Sequence, residues 1–186
     1  MEERKRIVEL EFLHVLQNMH NEILDNIMMC ITTLGNGGFL WIFIGVMLII
    51  LPRVKGTPEQ VKKRRMLGVV VLLSLIVTAV FGNLIIKNIV KRLRPFQVDT
   101  SVVPLICPGE YSFPSGHAGS SFTAATILFL NNRKWGTLAY IMAGLIAFSR
   151  MYFFVHYPTD ILGGIVLGVS CAILVWHGQK AYLKRQ

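Results

Sequence analysis

Polar residues precede an apolar run near the middle of the chain. His117 belongs to the stretch FPSGHAGSS at residues 113–121, which leads into the run SFTAATILFL. Pro114 suits a helix start, and the first backbone N–H groups of a helix have no partners inside it. Together with the helix dipole, such groups bind anions such as phosphate. We therefore expect Ser115 and Gly116 to donate hydrogen bonds to an anion beside His117.

A second histidine, His156, is followed four residues later by Asp160. Pro158 fits the first turn of a helix, so Asp160 lies within that helix and its carboxylate can reach back to the imidazole. A carboxylate that accepts one ring N–H fixes the tautomer and leaves the other nitrogen free, as in nucleophilic and proton-relay sites. Taken alone, the pair is more simply explained by a capping role for Asp160.

Three cations accompany the histidines. Lys87 and Arg94 lie seven residues apart in KNIVKRLRP, so a helix that Pro95 ends would carry both on one side. Arg150 precedes the second histidine in the stretch SRMYFFVHYPTD. Histidines, a carboxylate and cations together favour a ligand with concentrated negative charge, whose oxygens the Arg and Lys side chains would hold.

The elements that must position these residues are membrane helices. The chain has 186 residues, of which 53% are hydrophobic and only 16% charged, and its mean hydropathy is +0.55. This excludes an ordinary soluble helical domain, and we expect one all-α domain over residues 1–186: a polytopic bundle with about five to six transmembrane helices. Residues 1–33 read as an amphipathic helix in the membrane interface, followed by the bundle over 34–186. Five apolar segments are near spanning length: 34–51, 66–86, 115–131, 135–153 and 158–176.

The net charge of +9 follows the predicted loops rather than a nucleic-acid surface, so no nucleic acid is expected as a partner. Cations concentrate in three segments: 52–65, 131–134 and 180–186. By the positive-inside rule these are cytoplasmic, which places 87–114 and 154–157 outside and makes the site face outward. Arg4–Arg6 oppose this orientation. Lys91 and Arg92 either join the site or bind lipid headgroups.

Other features have plain explanations. Gly164 and Gly168 form a GxxxG pattern, which serves helix packing within the chain or a homodimer. Three tryptophans lie near predicted span ends and read as interfacial anchors: Trp41, Trp135 and Trp176. The stretch VVPLICPGE at 102–110 either shapes a lipid entrance or is an inert loop. The three cysteines are scattered without metal-ligand spacing, so they predict neither a metal site nor a disulfide.

Together, these motifs resemble the three-part signature of the membrane type 2 phosphatidic acid phosphatases, a family that shares its active-site plan with vanadium haloperoxidases. The parts match in order, spacing and residue type: Lys87 to Arg94-Pro95 (87–95), Pro114-Ser115-Gly116-His117 (114–117), and Ser149-Arg150 to His156 and Asp160 (149–160). Residues 1–65 add only length and hydropathy to the resemblance. The usual family layout has six spans, whereas this chain predicts five and an interfacial helix.

The resemblance implies a chemistry. His156 would attack phosphorus to give a phosphohistidine, Asp160 would hold its ring, and His117 would protonate the departing lipid oxygen and then activate water. The implied ligands of the phosphate oxygens are Lys87, Arg94, Ser115, Gly116 and Arg150. No metal or other cofactor is implied.

Family habit and sidedness suggest undecaprenyl diphosphate as the substrate, at the outer face of a bacterial cytoplasmic membrane. Phosphatidylglycerol phosphate and phosphatidic acid are alternatives. Transfer of the phosphoryl group to another lipid or a sugar also remains open, as does a non-enzymatic protein that captures anionic headgroups.

Overall fold

The computed structural model describes residues 2–51 and 57–183, and its regular structure there is helical. The cations Arg53, Lys55, Lys184 and Arg185, which the topology prediction uses, lie outside the described residues. The helices in chain order are α1 (Glu2–Gln17), α2 (Glu22–Leu34), α3 (Phe39–Ile50), α4 (Pro58–Ala79), α5 (Lys87–Val90), α6 (Pro95–Val98), α7 (Gly116–Asn131), α8 (Arg133–Tyr152) and α9 (Pro158–Leu183). A π-helix, Val80–Ile86, joins α4 to α5, and a 3₁₀ turn, Asn36–Gly38, joins α2 to α3.

Helix α7 packs between α4, α8 and α9, and small residues make this close packing feasible. A Cβ added to Gly168 on α9 would lie 2.3 Å from the carbonyl oxygen of Gly119, and one added to Gly164 would lie 2.5 Å from that of Ser115. Glycine is required because any side chain would push α7 and α9 apart. The GxxxG pattern therefore serves helix packing within the chain.

Two segments of the described chain are long and apolar enough to cross a membrane: Pro58–Val98, which contains α4 to α6, and Pro158–Leu183. The helical segments Glu22–Leu34 and Asn36–Ile50, bent by 44°, make a third candidate when taken together. Helix α7 coincides with the predicted span at 115–131, but its 16 residues reach only about 24 Å, short of the roughly 30 Å hydrocarbon core. The protein is thus a membrane protein, while the count of five spans stays a prediction.

The predicted continuous helix from Lys87 to Arg94 is wrong. Helix α5 ends at Val90, and Lys91 takes a left-handed conformation with φ of 51°. Proline disfavours the helical conformation in the residue before it, and Arg94 is extended, with φ −76° and ψ 156°. Pro95 consequently begins α6 rather than ending the preceding helix.

The N-terminal helices lie against the segment between α8 and α9. Leu13 and Leu16 of α1 are buried with Phe154 and Tyr157, while other apolar residues of α1 are exposed: Ile7, Val8, Phe12 and Val15. The segment predicted to lie in the membrane interface therefore also packs on the protein.

Trp41 corrects a further prediction. It is only 1% exposed and donates from Nε1 to the Ser121 hydroxyl at 2.8 Å. A buried indole needs such a partner for its N–H. Trp41 is thus a core residue of the α3–α7 contact and not an interfacial anchor.

Candidate active site

One cavity of about 650 Å³ collects the predicted ligands and both histidines. Its lining includes Lys87, Arg94, Ser115, Gly116, His117, Arg150 and His156. Asp160 lies behind His156 and is fully buried. Residues from three separate motifs therefore meet at one place, as the sequence predicts.

The imidazole of His156 is held with its Nε2 unprotonated. An arginine can only donate, and the Arg94 guanidinium lies 3.2 Å from Nε2. Nε2 therefore carries the lone pair, and the ring proton sits on Nδ1, which lies 3.4 Å from Asp160 Oδ2. Burial lowers the pKa of His156 to about 4, so the ring is neutral near pH 7. A neutral ring whose unprotonated Nε2 lies at a cavity wall has the form that a nucleophile needs, once the contact with Arg94 opens.

Asp160 both caps its helix and orients the ring. Its Oδ2 accepts a hydrogen bond from the Tyr157 amide at 2.9 Å and a short one from the Ser112 hydroxyl. The two interpretations of the His-x3-Asp spacing are therefore compatible, because one oxygen holds the turn before α9 and faces Nδ1 of His156.

Arg94 is fixed by main-chain oxygens. Its Nε donates to the Glu110 carbonyl at 2.7 Å and one terminal nitrogen donates to the Val155 carbonyl at 2.8 Å. Lys87, nearly buried, donates to the Glu110 carboxylate. The ammonium of Lys87 holds the pKa of Glu110 below its ordinary value. Glu110 thus occupies the position at Lys87 that a phosphate oxygen could take.

Arg150 differs from Arg94 because it retains an unpartnered nitrogen. One terminal nitrogen donates to the Thr32 hydroxyl at 2.6 Å. Its Nε is buried without a hydrogen-bond partner among the described residues. Buried polar groups are seldom left unpaired, so an orphan donor at a cavity wall indicates a ligand that accepts from it.

The α7 N-terminus has the predicted form. Ser115 is the N-cap: its hydroxyl oxygen accepts from the Ala118 amide at 3.4 Å. The Ser115 amide itself donates to the Asp160 carbonyl at 3.0 Å, so only the hydroxyl proton remains for a ligand. Gly116 is approached by Asn83, whose Oδ1 would lie 3.2 Å from an added Cβ. Ser115, Gly116 and His117 at this helix start line the cavity.

His117 meets the N-terminal part of the chain. Its Nε2 lies 3.0 Å from Oδ1 of Asn36, in the turn where Gly37 and Gly38 have positive φ values of 57° and 72°. Glycine accepts these angles at little cost. The break between α2 and α3 therefore brings the Asn36 side-chain amide to His117.

Sequence reasoning missed several partners of the site: Thr32, Asn36, Ser112 and the side chain of Glu110. No short sequence spacing links any of them to the residue that it contacts. Thr32 and Arg150, for example, are 118 positions apart. Arg92 was left undecided between the site and lipid headgroups, and it donates to Asp160 Oδ1 at 2.7 Å. This contact favours the site interpretation for Arg92.

The cavity also has an apolar part. Its lining there includes Ile42, Leu72, Leu75, Ile76 and Leu167, whereas Pro108, Gly109 and Glu110 line it from the loop before α7. The stretch at 102–110 is thus not an inert loop, because its end forms part of the cavity wall. A polar phosphate site that continues into apolar walls suits a lipid with a charged headgroup.

Comparison with known proteins identifies the family. A family model described as the PAP2 superfamily matches residues 67–184, more than half of the chain. The chain belongs to the PAP2 superfamily. The resemblance drawn from the motifs is thereby confirmed, and with it the prediction of an enzyme that hydrolyses lipid phosphates.

Two relatives and one solved structure extend this result. An undecaprenyl-diphosphatase of Sulfolobus acidocaldarius is 32% identical over 153 residues, covering 80% of this chain and 68% of that protein. Phosphatidylglycerophosphatase B of Bacillus subtilis is 34% identical over 120 residues, covering 55% of this chain and 56% of that protein. The crystal structure of a transmembrane PAP2-type phosphatidylglycerolphosphate phosphatase from Bacillus subtilis matches with a TM-score of 0.77 at 23% identity, over 96% of this chain and 87% of that one. The all-helical fold is therefore the PAP2 fold, while the roles of individual residues stay predictions.

Proposed function

We propose that the protein hydrolyses a lipid phosphate through a phosphohistidine on His156, with undecaprenyl diphosphate as the substrate. The observation that carries the proposal is the state of His156: neutral, with the Nε2 lone pair held towards a cavity of cations. A scaffold that only captured headgroups would have no need of a nucleophile in this state.

In the first half-reaction, Nε2 of His156 attacks the terminal phosphorus in line with the departing oxygen. The new N–P bond forms as the bond from phosphorus to the bridging oxygen breaks, and the bonding pair stays with that oxygen. A ring proton of His117 neutralises the leaving lipid. Positive charge that develops on the His156 ring is stabilised by Asp160 across the 3.4 Å contact to Nδ1.

In the second half-reaction, a water molecule gives its proton to His117 and its oxygen attacks the phosphohistidine. The N–P bond breaks, its electron pair returns to Nε2, and inorganic phosphate leaves. One acid–base residue can serve both halves, because the proton that it gives in the first is regained in the second.

The cations and the α7 N-terminus hold the phosphoryl oxygens through these steps. Arg94 is fixed by main-chain carbonyls. Arg150 has an Nε without a hydrogen-bond partner among the described residues, so that nitrogen can donate to a phosphate oxygen. Phosphoryl transfer depends mainly on such positioning and electrostatic stabilisation. The contact between Arg94 and Nε2 would open when a phosphate oxygen takes its place.

Two considerations support undecaprenyl diphosphate. The Sulfolobus relative named for this substrate matches 80% of the chain, against 55% for the phosphatidylglycerophosphatase. The positive-inside rule places the catalytic loops outside, where this lipid carrier is released as the diphosphate. The proposed location is accordingly a bacterial cytoplasmic membrane, crossed five times, with the cavity facing outward.

The test is phosphate release by the purified protein in detergent from undecaprenyl diphosphate, phosphatidylglycerol phosphate and phosphatidic acid, each with excess EDTA. We expect release without added metal and the highest catalytic efficiency with undecaprenyl diphosphate. His156→Ala should fold normally and release nothing. Substantial release by folded His156→Ala would refute the nucleophile, and a higher efficiency with another lipid would refute the substrate.

The same experiment addresses transfer in place of hydrolysis. With radiolabelled terminal phosphate and an added lipid or sugar acceptor, label on free phosphate supports hydrolysis. Label on the acceptor would make the enzyme a phosphotransferase that uses the same phosphohistidine.

The predicted independence from metal is tested by the EDTA arm. Among the described residues, no three His, Cys, Asp or Glu side chains gather where they could hold a metal ion. If EDTA abolishes release and magnesium restores it, the mechanism proposed here is wrong.

A further inference from the structure

Asp160 has a second carboxylate oxygen that the mechanism above does not use. Oδ1 accepts a hydrogen bond from Arg92 at 2.7 Å, and Arg92 in turn donates to Glu9 of α1 at 2.6 Å. We propose that Arg92 and Glu9 are positioning residues for Asp160, so that α1 is a working part of the catalytic centre. This inference rests on the proposed role of His156 and Asp160.

Arg92 contacts three polar side chains and one aromatic ring. One terminal nitrogen donates to Asp160 Oδ1 and, at 2.6 Å, to the Thr159 hydroxyl, while the other donates to Glu9. Its guanidinium carbon lies 3.9 Å from the centre of the Tyr157 ring. Arg92 is also absent from the cavity lining, unlike Arg94 and Arg150. It therefore acts on the carboxylate and not on the phosphate.

Glu9 ties this arginine to the start of α9. Its Oε1 accepts from the Thr159 amide at 3.0 Å and from the Thr159 hydroxyl at 2.5 Å, and its side chain is only 11% exposed. Amides in the first turn of a helix lack partners within the helix. The Glu9 carboxylate accepts from one of them, and its negative charge interacts favourably with the positive end of the α9 dipole. Leu13 and Leu16 bury α1 against the same segment. Glu9 thus fixes both the arginine and the helix turn that bears Asp160.

The charges along this series alternate. In the phosphohistidine the ring of His156 gains positive charge, which Asp160 stabilises. Arg92 fixes the carboxylate, but its positive charge beside Oδ1 also weakens the negative potential that Asp160 exerts at His156. The negative charge of Glu9, on the far side of Arg92, offsets this weakening of the potential. Loss of either residue should therefore slow the chemical step and leave substrate binding nearly unchanged.

The test compares kcat and KM of the full-length protein for the lipid that the unmutated protein hydrolyses best. We expect Arg92→Met to lower kcat about 100-fold and Glu9→Gln about 10-fold, the range for lost charge-assisted hydrogen bonds, with KM within about twofold. Arg92→Lys should recover part of the loss. Because part of the effect of Glu9 passes through Arg92, the double variant should lose less activity than the product of the two single losses. Glu11→Gln makes the same chemical change at an exposed position of α1 and should behave as the unmutated protein.

A second readout needs no turnover. Histidine ¹⁵N NMR, with the His156 signal assigned from His156→Gln, should show the proton on Nδ1 in the unmutated protein and a mixture of tautomers in Arg92→Met and Glu9→Gln. Unchanged kcat and tautomer in both variants, or a loss confined to KM, would overturn the inference. If the unmutated protein hydrolyses none of the lipids but the tautomer shifts as described, the proposed function fails and the positioning role stands.

Discussion

Arg150 is a buried cation without a counter-ion. It is only 3% exposed, no salt bridge reaches it within the described residues, and its Nε has no hydrogen-bond partner. Taking an unpaired charge and an unpaired donor out of water costs folding free energy. Such a residue is retained when a ligand supplies the negative charge and the hydrogen-bond acceptor that the fold lacks. We therefore expect Arg150→Met to be more stable than the unmutated protein and much less active.

The magnitudes follow from the contacts of its side chain. Removing one donor to the transferring phosphoryl group should raise the barrier by about 3 to 4 kcal/mol, a loss of roughly 10² to 10³ in kcat. Removing the unpartnered Nε should raise the free energy of unfolding by about 1 to 3 kcal/mol. The contribution of the hydrogen bond to Thr32, which is lost as well, must be subtracted from this gain. Methionine keeps the apolar stem of the side chain, so little cavity is created.

The assay pairs phosphate release with thermal unfolding in detergent, with and without orthovanadate, a phosphate mimic. Vanadate should raise the Tm of the unmutated protein and leave that of Arg150→Met nearly unchanged, because a ligand stabilises only the state that binds it. Arg133→Met makes the same change at the exposed start of α8 and should alter neither quantity. If Arg150→Met lowers the Tm and keeps its catalytic efficiency, Arg150 is a structural residue and the reasoning fails.

Three further predictions concern single residues. His117→Asn should slow release from a lipid diphosphate by about 10² to 10⁴, but much less from p-nitrophenyl phosphate, whose leaving group needs no proton; equal losses would exclude a general acid. Because burial lowers the pKa of His156 to about 4 from an ordinary 6.5, unfolding takes up a proton between these values, so the Tm should fall as pH is lowered through that window and His156→Gln should lessen the fall. Gly168→Ala places a Cβ 2.3 Å from the Gly119 carbonyl and should cost about 1 to 3 kcal/mol, whereas Gly144→Ala, which meets no atom within 4 Å, should leave the Tm unchanged or raise it; equal Tm values for the two variants would contradict the packing argument.

Local rules predict the ends of the elements that carry the second motif. A proline followed by an apolar run predicts a helix at 115–131, and α7 spans Gly116–Asn131. The prediction succeeds because each signal acts within a few residues of the helix end. The same holds for Pro158 at the first turn of α9.

The first motif shows where local rules fail. A seven-residue spacing predicts Lys87 and Arg94 on one helical face, yet α5 ends at Val90 and Arg94 reaches the cavity from an extended segment. Its place is decided by the carbonyls of Glu110 and Val155, which lie 16 and 61 positions further along the chain. Spacing within one motif carries no information on such partners.

Hydropathy leaves a second ambiguity. Trp41 and Trp135 both lie near predicted span ends, but Trp41 is 1% exposed and Trp135 is 64% exposed. An apolar segment is equally compatible with lipid and with protein neighbours, because hydrocarbon and a protein core are similar environments for it. The hydroxyl of Ser121, 80 positions away, decides the case for Trp41 by accepting its N–H.

The motifs at 87–160 contain the groups expected to react, whereas the N-terminal segment supplies partners that hold them. Thr32 binds Arg150, Asn36 binds His117, and Glu9 binds Arg92 and the first turn of α9. Each contact holds a different residue in or behind the cavity wall, and each crosses more than 80 positions of the chain. A change in how α1 and α2 lie on the bundle would therefore reach the reacting groups directly. Substitutions of Glu9, Thr32 or Asn36 should therefore lower kcat before they lower the Tm.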